Sequence, residues 1–168
     1  MAKGGFTEVT DRDNMGWSPL HHACDASSWS WRAQKSAMGL IEMTPPWIIN
    51  ARTTGSWPSG ATCLHLAAEG SDKLAERSFV VRKLLEWGAE VDKKNAKGNT
   101  ALLLASATGV TDIMTALLHH GADPKVLNDR DLSVYQAAMQ CSGSSTQMLE
   151  ERGQKRPRGG NLVPICCP

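Results

Sequence analysis

One run of residues returns at a fixed distance along this chain, and that repetition narrows the available folds more than any other feature. Val80, Val81, Leu84, Leu85, Gly88 and Ala89 recur 33 residues later as Ile113, Met114, Leu117, Leu118, Gly121 and Ala122. The same offset joins Thr100 to Ser133, Leu102 to Tyr135 and Ala105 to Ala138. Upstream the spacing stretches: Ser18-Pro19-Leu20-His21-His22-Ala23 matches Thr62-Cys63-Leu64-His65-Leu66-Ala67 at an offset of 44, and Thr62 matches Thr100 at 38. Periods of this size belong to arrays in which each unit buries its apolar face only against its neighbours.

The lengthening can be placed. There are 17 positions from Ala23 to Leu40 and from Ala67 to Leu84, against 12 from Ala105 to Leu117. Five residues are therefore expected to be inserted between the two helices of units one and two. Six more lie between Leu40 and Thr62, where Thr44-Pro45-Pro46-Trp47 and Thr53-Thr54-Gly55-Ser56-Trp57-Pro58-Ser59-Gly60 predict a long finger rich in glycine, proline and serine. Each unit reads as a helix pair followed by a turn. Ser18, Thr62, Thr100 and Ser133 are hydroxyl residues suited to accept the first free helical N–H groups, and Pro19 loses nothing by lacking its own. The apolar positions at 80, 81, 84 and 85 form one stripe of a helix, and Gly88 or Gly121 follows as a left-handed cap.

In this order of motifs the chain resembles the ankyrin repeat, whose unit reads roughly D-x-x-G-x-T-P-L-H-x-A-A-x-x-G and then V-x-x-L-L-x-x-G-A-D. Unit one carries Asp13, Gly16, Ser18-Pro19-Leu20-His21 and Ala23; unit two carries Thr62, Leu64-His65, Ala67-Ala68, Leu84-Leu85 and Gly88-Ala89. Unit three carries Asn95, Gly98, Thr100, Leu102, Ala105, Gly109, Leu117-Leu118, Gly121-Ala122 and Asp123-Pro124. The resemblance implies an all-α ankyrin-repeat solenoid over about residues 11–152, in units near 13–50, 51–92, 93–124 and 125–152. A lead-in over 1–10 and a basic, disordered tail over 153–168 flank it. Unit four departs from the pattern: Asp131 stands for the turn glycine, Val134 for the proline and Gln136 for the histidine, and its second helix is expected only over 145–152. These departures predict a degenerate capping repeat.

Catalytic chemistry is not expected. His21 and His65 fall on the T-P-L-H position, where an imidazole is placed to hydrogen-bond its own finger and helix start. His119-His120 end a helix, where positive charge suits the dipole. The five cysteines show no zinc-like pair, and Cys24 and Cys63 read as small apolar residues. No phosphate loop, nucleophile elbow or zinc-helix motif is present in the sequence. The chain is therefore read as a non-enzyme with no cofactor and no metal. No apolar run is long enough to span a bilayer, and no secretory leader opens the sequence, so a cytoplasmic location is expected, with the nucleus as the alternative.

Ankyrin arrays bind through their finger tips and the exposed face of their first helices. Carried onto this chain, the family's variable positions are Asn14, Met15, Trp17 and Asp25 in unit one, and Trp57, Pro58, Ser59, Ala61, Glu69 and Trp87 in unit two. Unit three adds Ala96, Lys97, Asn99, Ala107, Thr108 and His120. Six tryptophans stand against two phenylalanines and one tyrosine. Trp17, Trp57 and Trp87 are expected at the surface as anchors of a binding patch, whereas Trp29, Trp31 and Trp47 are expected to pin the enlarged first unit.

The expected function is a protein-interaction module or scaffold, acting as a monomer or as a subunit of a hetero-complex. Two alternatives stay open: a chromatin or nucleic-acid adaptor using the basic tail, and a regulatory segment of a larger enzyme or channel. Net charge argues against nucleic acid as the main ligand. The total is +1, and Arg152, Lys155, Arg156 and Arg158 supply four positive charges, which leaves the rest at −3. Deleting 153–168 should leave the melting temperature almost unchanged, since few buried contacts would be lost. A fall of more than about 5 °C in a thermal melt would mean that the tail packs on the array.

Overall fold

The computed structural model describes residues 8–25, 31–55, 59–70 and 75–141. Eight helices follow in order: α1 (Pro19–Cys24), α2 (Trp31–Met43), α3 (Pro46–Ile49), α4 (Cys63–Ala68), α5 (Ala75–Glu86), α6 (Ala101–Thr108), α7 (Thr111–His119) and α8 (Val134–Cys141). No strand occurs among the described residues. Helices α1, α4, α6 and α8 stack side by side as an inner row, while α2, α5 and α7 form an outer row; each outer helix packs on the inner helix of its own unit. The molecule is an all-α solenoid of stacked helix pairs. The two segments between paired helices where insertions are expected, and the helix expected over 145–152, lie outside the described residues, as does the tail.

The core is one continuous cluster along this stack. Leu20, Cys24 and Ile41 from the first unit join Leu64, Val80, Val81 and Leu84 from the second. Leu102, Ile113, Met114 and Leu117 carry the cluster on to Val134, Tyr135 and Ala138. The repeated positions found in the sequence are the buried ones because a helix repeats its face every 3.6 residues and each face meets the next unit. The linker after α2 holds a feature that the Gly/Pro/Ser reading missed. Pro45-Pro46 starts a single helical turn, α3, whose Ile48 and Ile49 are fully buried. Trp47 is consequently turned outward and is 65% exposed, so the expectation that it pins the first unit is corrected.

Helix starts are built as the hydroxyl pattern predicts. The hydroxyls of Ser18, Thr100 and Ser133 accept from the backbone N–H of His21, Leu103 and Gln136 at 3.4, 3.3 and 3.2 Å. At α4 the Thr62 hydroxyl lies 2.8 Å from His65 Nδ1. The two T-P-L-H imidazoles do more than cap. His21 Nδ1 accepts from the Ser18 N–H at 3.2 Å and its Nε2 reaches the Ala51 carbonyl at 3.1 Å. His65 repeats this with the Thr62 N–H at 3.2 Å and the Asn99 carbonyl at 2.9 Å. A carbonyl can only accept, so Nε2 carries the proton, and each neutral ring ties its own helix start to the finger of the next unit. Gln136 supplies the same cap in the last unit, accepting from the Ser133 N–H at 2.9 Å.

Three of the four fingers are closed by one acidic or amide side chain each. Asp13 Oδ1 accepts from Met15 and Trp17 N–H, Asn95 Oδ1 from Lys97 and Asn99, and Asn128 Oδ1 from Arg130 and Leu132, all between 2.9 and 3.0 Å. The second finger is wider, and there Thr53 takes the part: its hydroxyl accepts from the Ala61 N–H at 3.0 Å. Neighbouring fingers are laced together by Thr54 N–H to Met15 O (2.9 Å), Ala96 N–H to Ser59 O (3.1 Å) and Asp129 N–H to Lys97 O (3.3 Å). This lacing explains the turn glycines. Gly98 has φ +72°, and a Cβ there would lie 2.6 Å from the Asp129 backbone nitrogen. Asp131 occupies the corresponding turn at φ +56° and is exposed.

Two outcomes are expected from these local geometries. Burial lowers the His21 and His65 pKa values from 6.5 to about 4, against the pull of the carbonyls they bond. Between those values the unfolded chain binds protons that the folded chain refuses, so stability is complete above about pH 6.5 and is lost as pH falls toward 4. The loss is on the order of 3 kcal/mol per histidine, read as a falling urea midpoint, and His65→Gln should flatten the pH profile. An unchanged profile in that variant would refute the assignment. Asp131→Gly should raise unfolding free energy by about 1 kcal/mol by relieving the left-handed strain, whereas Gly98→Ala should lower it by more than that. Equal effects in the two denaturation curves would remove the distinction drawn between the two turns.

Candidate partner-binding surface

The tips of the fingers are held by backbone bonds, which leaves several of their side chains to solvent. Asn14, Met15, Ala96 and Lys97 are exposed. Met15 also offers its carbonyl to the N–H groups of Thr54 and Gly55, at 2.9 and 3.0 Å, so its side chain is presented from a fixed backbone. Ser59 is half-buried and contributes its carbonyl to the lacing. Trp17 is half-buried, with its ring tilted against His22 at 4.8 Å between centroids. Its indole N–H is buried without a hydrogen-bond partner, an arrangement that costs about 1–3 kcal/mol. His22 Nε2 in turn lies 3.0 Å from the Asp13 carboxylate.

The inner-row positions are less open. Asp25, Glu69, Ala107 and Thr108 are half-buried at the ends of α1, α4 and α6. Burial raises the Glu69 pKa and the nearby Asp25 charge adds to it, while Lys97 opposes both. Asn99 is half-buried and structural: its carbonyl accepts from Asn95 and from His65, and its side-chain oxygen accepts from Asn128 Nδ2 at 2.8 Å. Ala61 is a correction. It is 1% exposed, because the wide second finger folds back through Thr53 and turns this residue into the core. Its side chain cannot touch a partner. Trp57 and Pro58 lie outside the described residues.

Two of the predicted positions separate from the rest. Trp87 follows the last turn of α5 and is 37% exposed, and His120 caps α7 and is exposed. Both helices belong to the outer row, so these residues do not join the finger tips. Sequence reasoning placed them by family position, whereas the row to which a helix belongs is decided by packing. It also passed over two residues of this outer surface, Met43 and Phe79, which are exposed and large; for Phe79 its place off the apolar stripe at 80, 81, 84 and 85 was the available signal.

Chemistry in the described residues is sparse. No group of three histidine, cysteine, aspartate or glutamate side chains is arranged to hold a metal ion among them, and none of the described helices is long and apolar enough to cross a membrane. Cys24 and Cys63 are free thiols buried at the junction of units one and two. Burial pushes the Cys63 thiol well above its ordinary range, with Cys24 alongside adding to the shift, so that thiol is a poor nucleophile.

Comparison with known proteins places this geometry. A family model described as ankyrin repeats matches three copies over residues 39–128. The chain is similar to the ankyrin repeat and KH domain-containing protein mask-1 of Caenorhabditis elegans, 42% identical over 46% of this chain and 3% of that protein. It is similar to the protein fem-1 homolog A of Danio rerio, 35% identical over 52% of this chain and 15% of the relative. The human mitochondrial disaggregase shares 28% identity over 76% of this chain and 16% of its own length. The chain thus spans less than a fifth of each of these relatives. With three units matched across more than half of its residues, and with the inner and outer rows and laced fingers already described, the chain belongs to the ankyrin repeat family.

Proposed function

We propose that this chain is a non-catalytic protein-interaction module whose laced finger tips present Met15, Asn14, Ala96 and Lys97, with Trp17 beside them, to a protein partner. Ankyrin repeats are in general modules for protein–protein interaction. The observation that carries the reading here is the lacing itself. Four backbone hydrogen bonds across the three finger-to-finger junctions hold the tips in one rigid row, so exposed side chains on different units are pre-ordered relative to one another. Pre-ordered side chains lose little conformational freedom on binding, and that favours affinity. A cytoplasmic location, with the nucleus as the alternative, and a monomeric or hetero-complexed state belong to the same proposal.

The reading is tested by alanine substitution with two readouts, partner affinity and thermal stability. Met15→Ala and Lys97→Ala should weaken partner capture by the full chain while melting like the parent, and Trp17→Ala should weaken it by about 2 kcal/mol or more. Leu84→Ala and Leu117→Ala, both fully buried, should instead cost about 2–5 kcal/mol of folding stability. If the finger variants bind as the parent does while the chain stays folded, the partner docks elsewhere and the proposal fails.

A further inference from the structure

The outer row carries a concavity of its own. Between α5 and α7 runs a groove of about 310 Å³ walled by Arg82, Thr115, Ala116, His119 and His120. Arg82, His119 and His120 are exposed, and no carboxylate is among the residues lining it. The Thr115 hydroxyl donates to the Thr111 carbonyl at 2.8 Å, so the donors facing the groove are one guanidinium and two imidazoles. On α5, Val80, Val81, Leu84 and Leu85 face the core. Phe79, Arg82 and Glu86 fall on the opposite side at spacings of three and four, which makes them neighbours on the helix surface. Phe79 is 55% exposed, so an aromatic ring stands on the surface of α5 one helical turn before Arg82. Glu86 is engaged by Lys83 at 3.4 Å.

A helix C-terminus ordinarily repels anions through its free carbonyls. At α7 the carbonyls of Ala116, Leu117 and Leu118 are taken. The His120 N–H reaches Ala116 and Leu117 at 3.2 and 3.1 Å, the Gly121 N–H reaches Leu118 at 3.2 Å, and the Ala122 N–H reaches Leu117 at 3.0 Å. Arg82 therefore supplies a fixed positive charge in the groove, and its sign is opposite to that of the rest of the chain, which sums to −4 without Arg82 and the four charges near the C-terminus.

We propose that this outer groove docks an acidic, amphipathic peptide segment of a partner protein, with carboxylates against Arg82, His119 and His120 and an apolar side chain on Phe79. The charge complement argues for the acidic part, since a guanidinium fork matches a carboxylate in two parallel hydrogen bonds. The exposed Phe79 beside it argues for the apolar part. The inference is independent of the finger-tip surface.

The probe is a short fluorescent peptide alternating pairs of glutamate with leucine, titrated into the full chain by anisotropy. A second peptide has lysine in place of every glutamate. The acidic peptide should bind and the lysine peptide should not, and added salt should weaken binding. Arg82→Gln, and separately the double variant His119→Ala with His120→Ala, should each weaken binding about tenfold, with melting temperatures at the parent value because all three side chains are exposed. Phe79→Ser should weaken it too, whereas Met15→Ala on the fingers should leave it unchanged, which separates this proposal from the finger-tip reading. Absence of binding up to about 1 mM peptide would overturn it. Equal binding of the lysine peptide, unchanged affinity in the Arg82 and histidine variants, or equal competition by a short DNA duplex would overturn it as well.

Discussion

Helices α1 and α4 are six residues long, and six residues cannot hold themselves helical in water, where the nucleating turn alone is unfavourable. What holds them is a neutral imidazole at the third position of each. His21 and His65 accept from the N–H of their own cap residue on one ring nitrogen and donate to a carbonyl of the next unit on the other. One side chain thus fixes both the helix start and the spacing to the following finger. The finger is in turn laced to its neighbour by a backbone bond, so the inner helix, its own finger and the adjoining finger form one unit of order. The apolar cluster behind them supplies most of the favourable free energy, but it is non-directional and does not itself set the register.

The same circuit leaves neither ring nitrogen of His21 or His65 free. Both ring nitrogens are engaged and the rings are buried, so neither can exchange a proton with a substrate near neutral pH. The one functional demand on them is to stay neutral. Unit four meets that demand without an ionisable group, by using the Gln136 carbonyl oxygen in place of Nδ1. Gln136 stands where the histidine pattern breaks, yet it satisfies the same N–H. Motif matching counts it as a loss, whereas hydrogen-bond accounting counts it as an equivalent.

What was legible in the sequence divides along this line between local and non-local causes. Helix starts at Ser18, Thr100 and Ser133 and left-handed stops at Gly88 and Gly121 depend on a few adjacent residues, and they fall where the pattern places them. The stripe at 80, 81, 84 and 85 is likewise local, and all four residues are buried. Ala61 and Trp47 were misplaced because each depends on how an inserted segment folds back. The single turn of α3 sends Ile48 and Ile49 inward and Trp47 outward, and the wide second finger sends Ala61 inward. The outer groove was not legible at all, since Arg82 and His119 lie on different units and meet only through the stacking of α5 on α7.

The turn glycines meet a second constraint besides backbone conformation. At Gly16, Gly60 and Gly98 a side chain would strike the backbone nitrogen of Thr54, Ala96 or Asp129, each belonging to the next finger and each lying within 2.9 Å of the missing Cβ. Glycine is thus required twice over, by the left-handed φ and by the close approach of a neighbour. At Asp131 only the first requirement survives: φ is +56° and the side chain stands exposed. Aspartate tolerates the left-handed region better than most residues do, so the strain is modest. A further finger laced in the same register would bring its backbone against the Asp131 Cβ. Gly98 and Asp131 thus occupy equivalent turns with unequal demands: the first must leave room for a neighbouring backbone, whereas the second stands exposed.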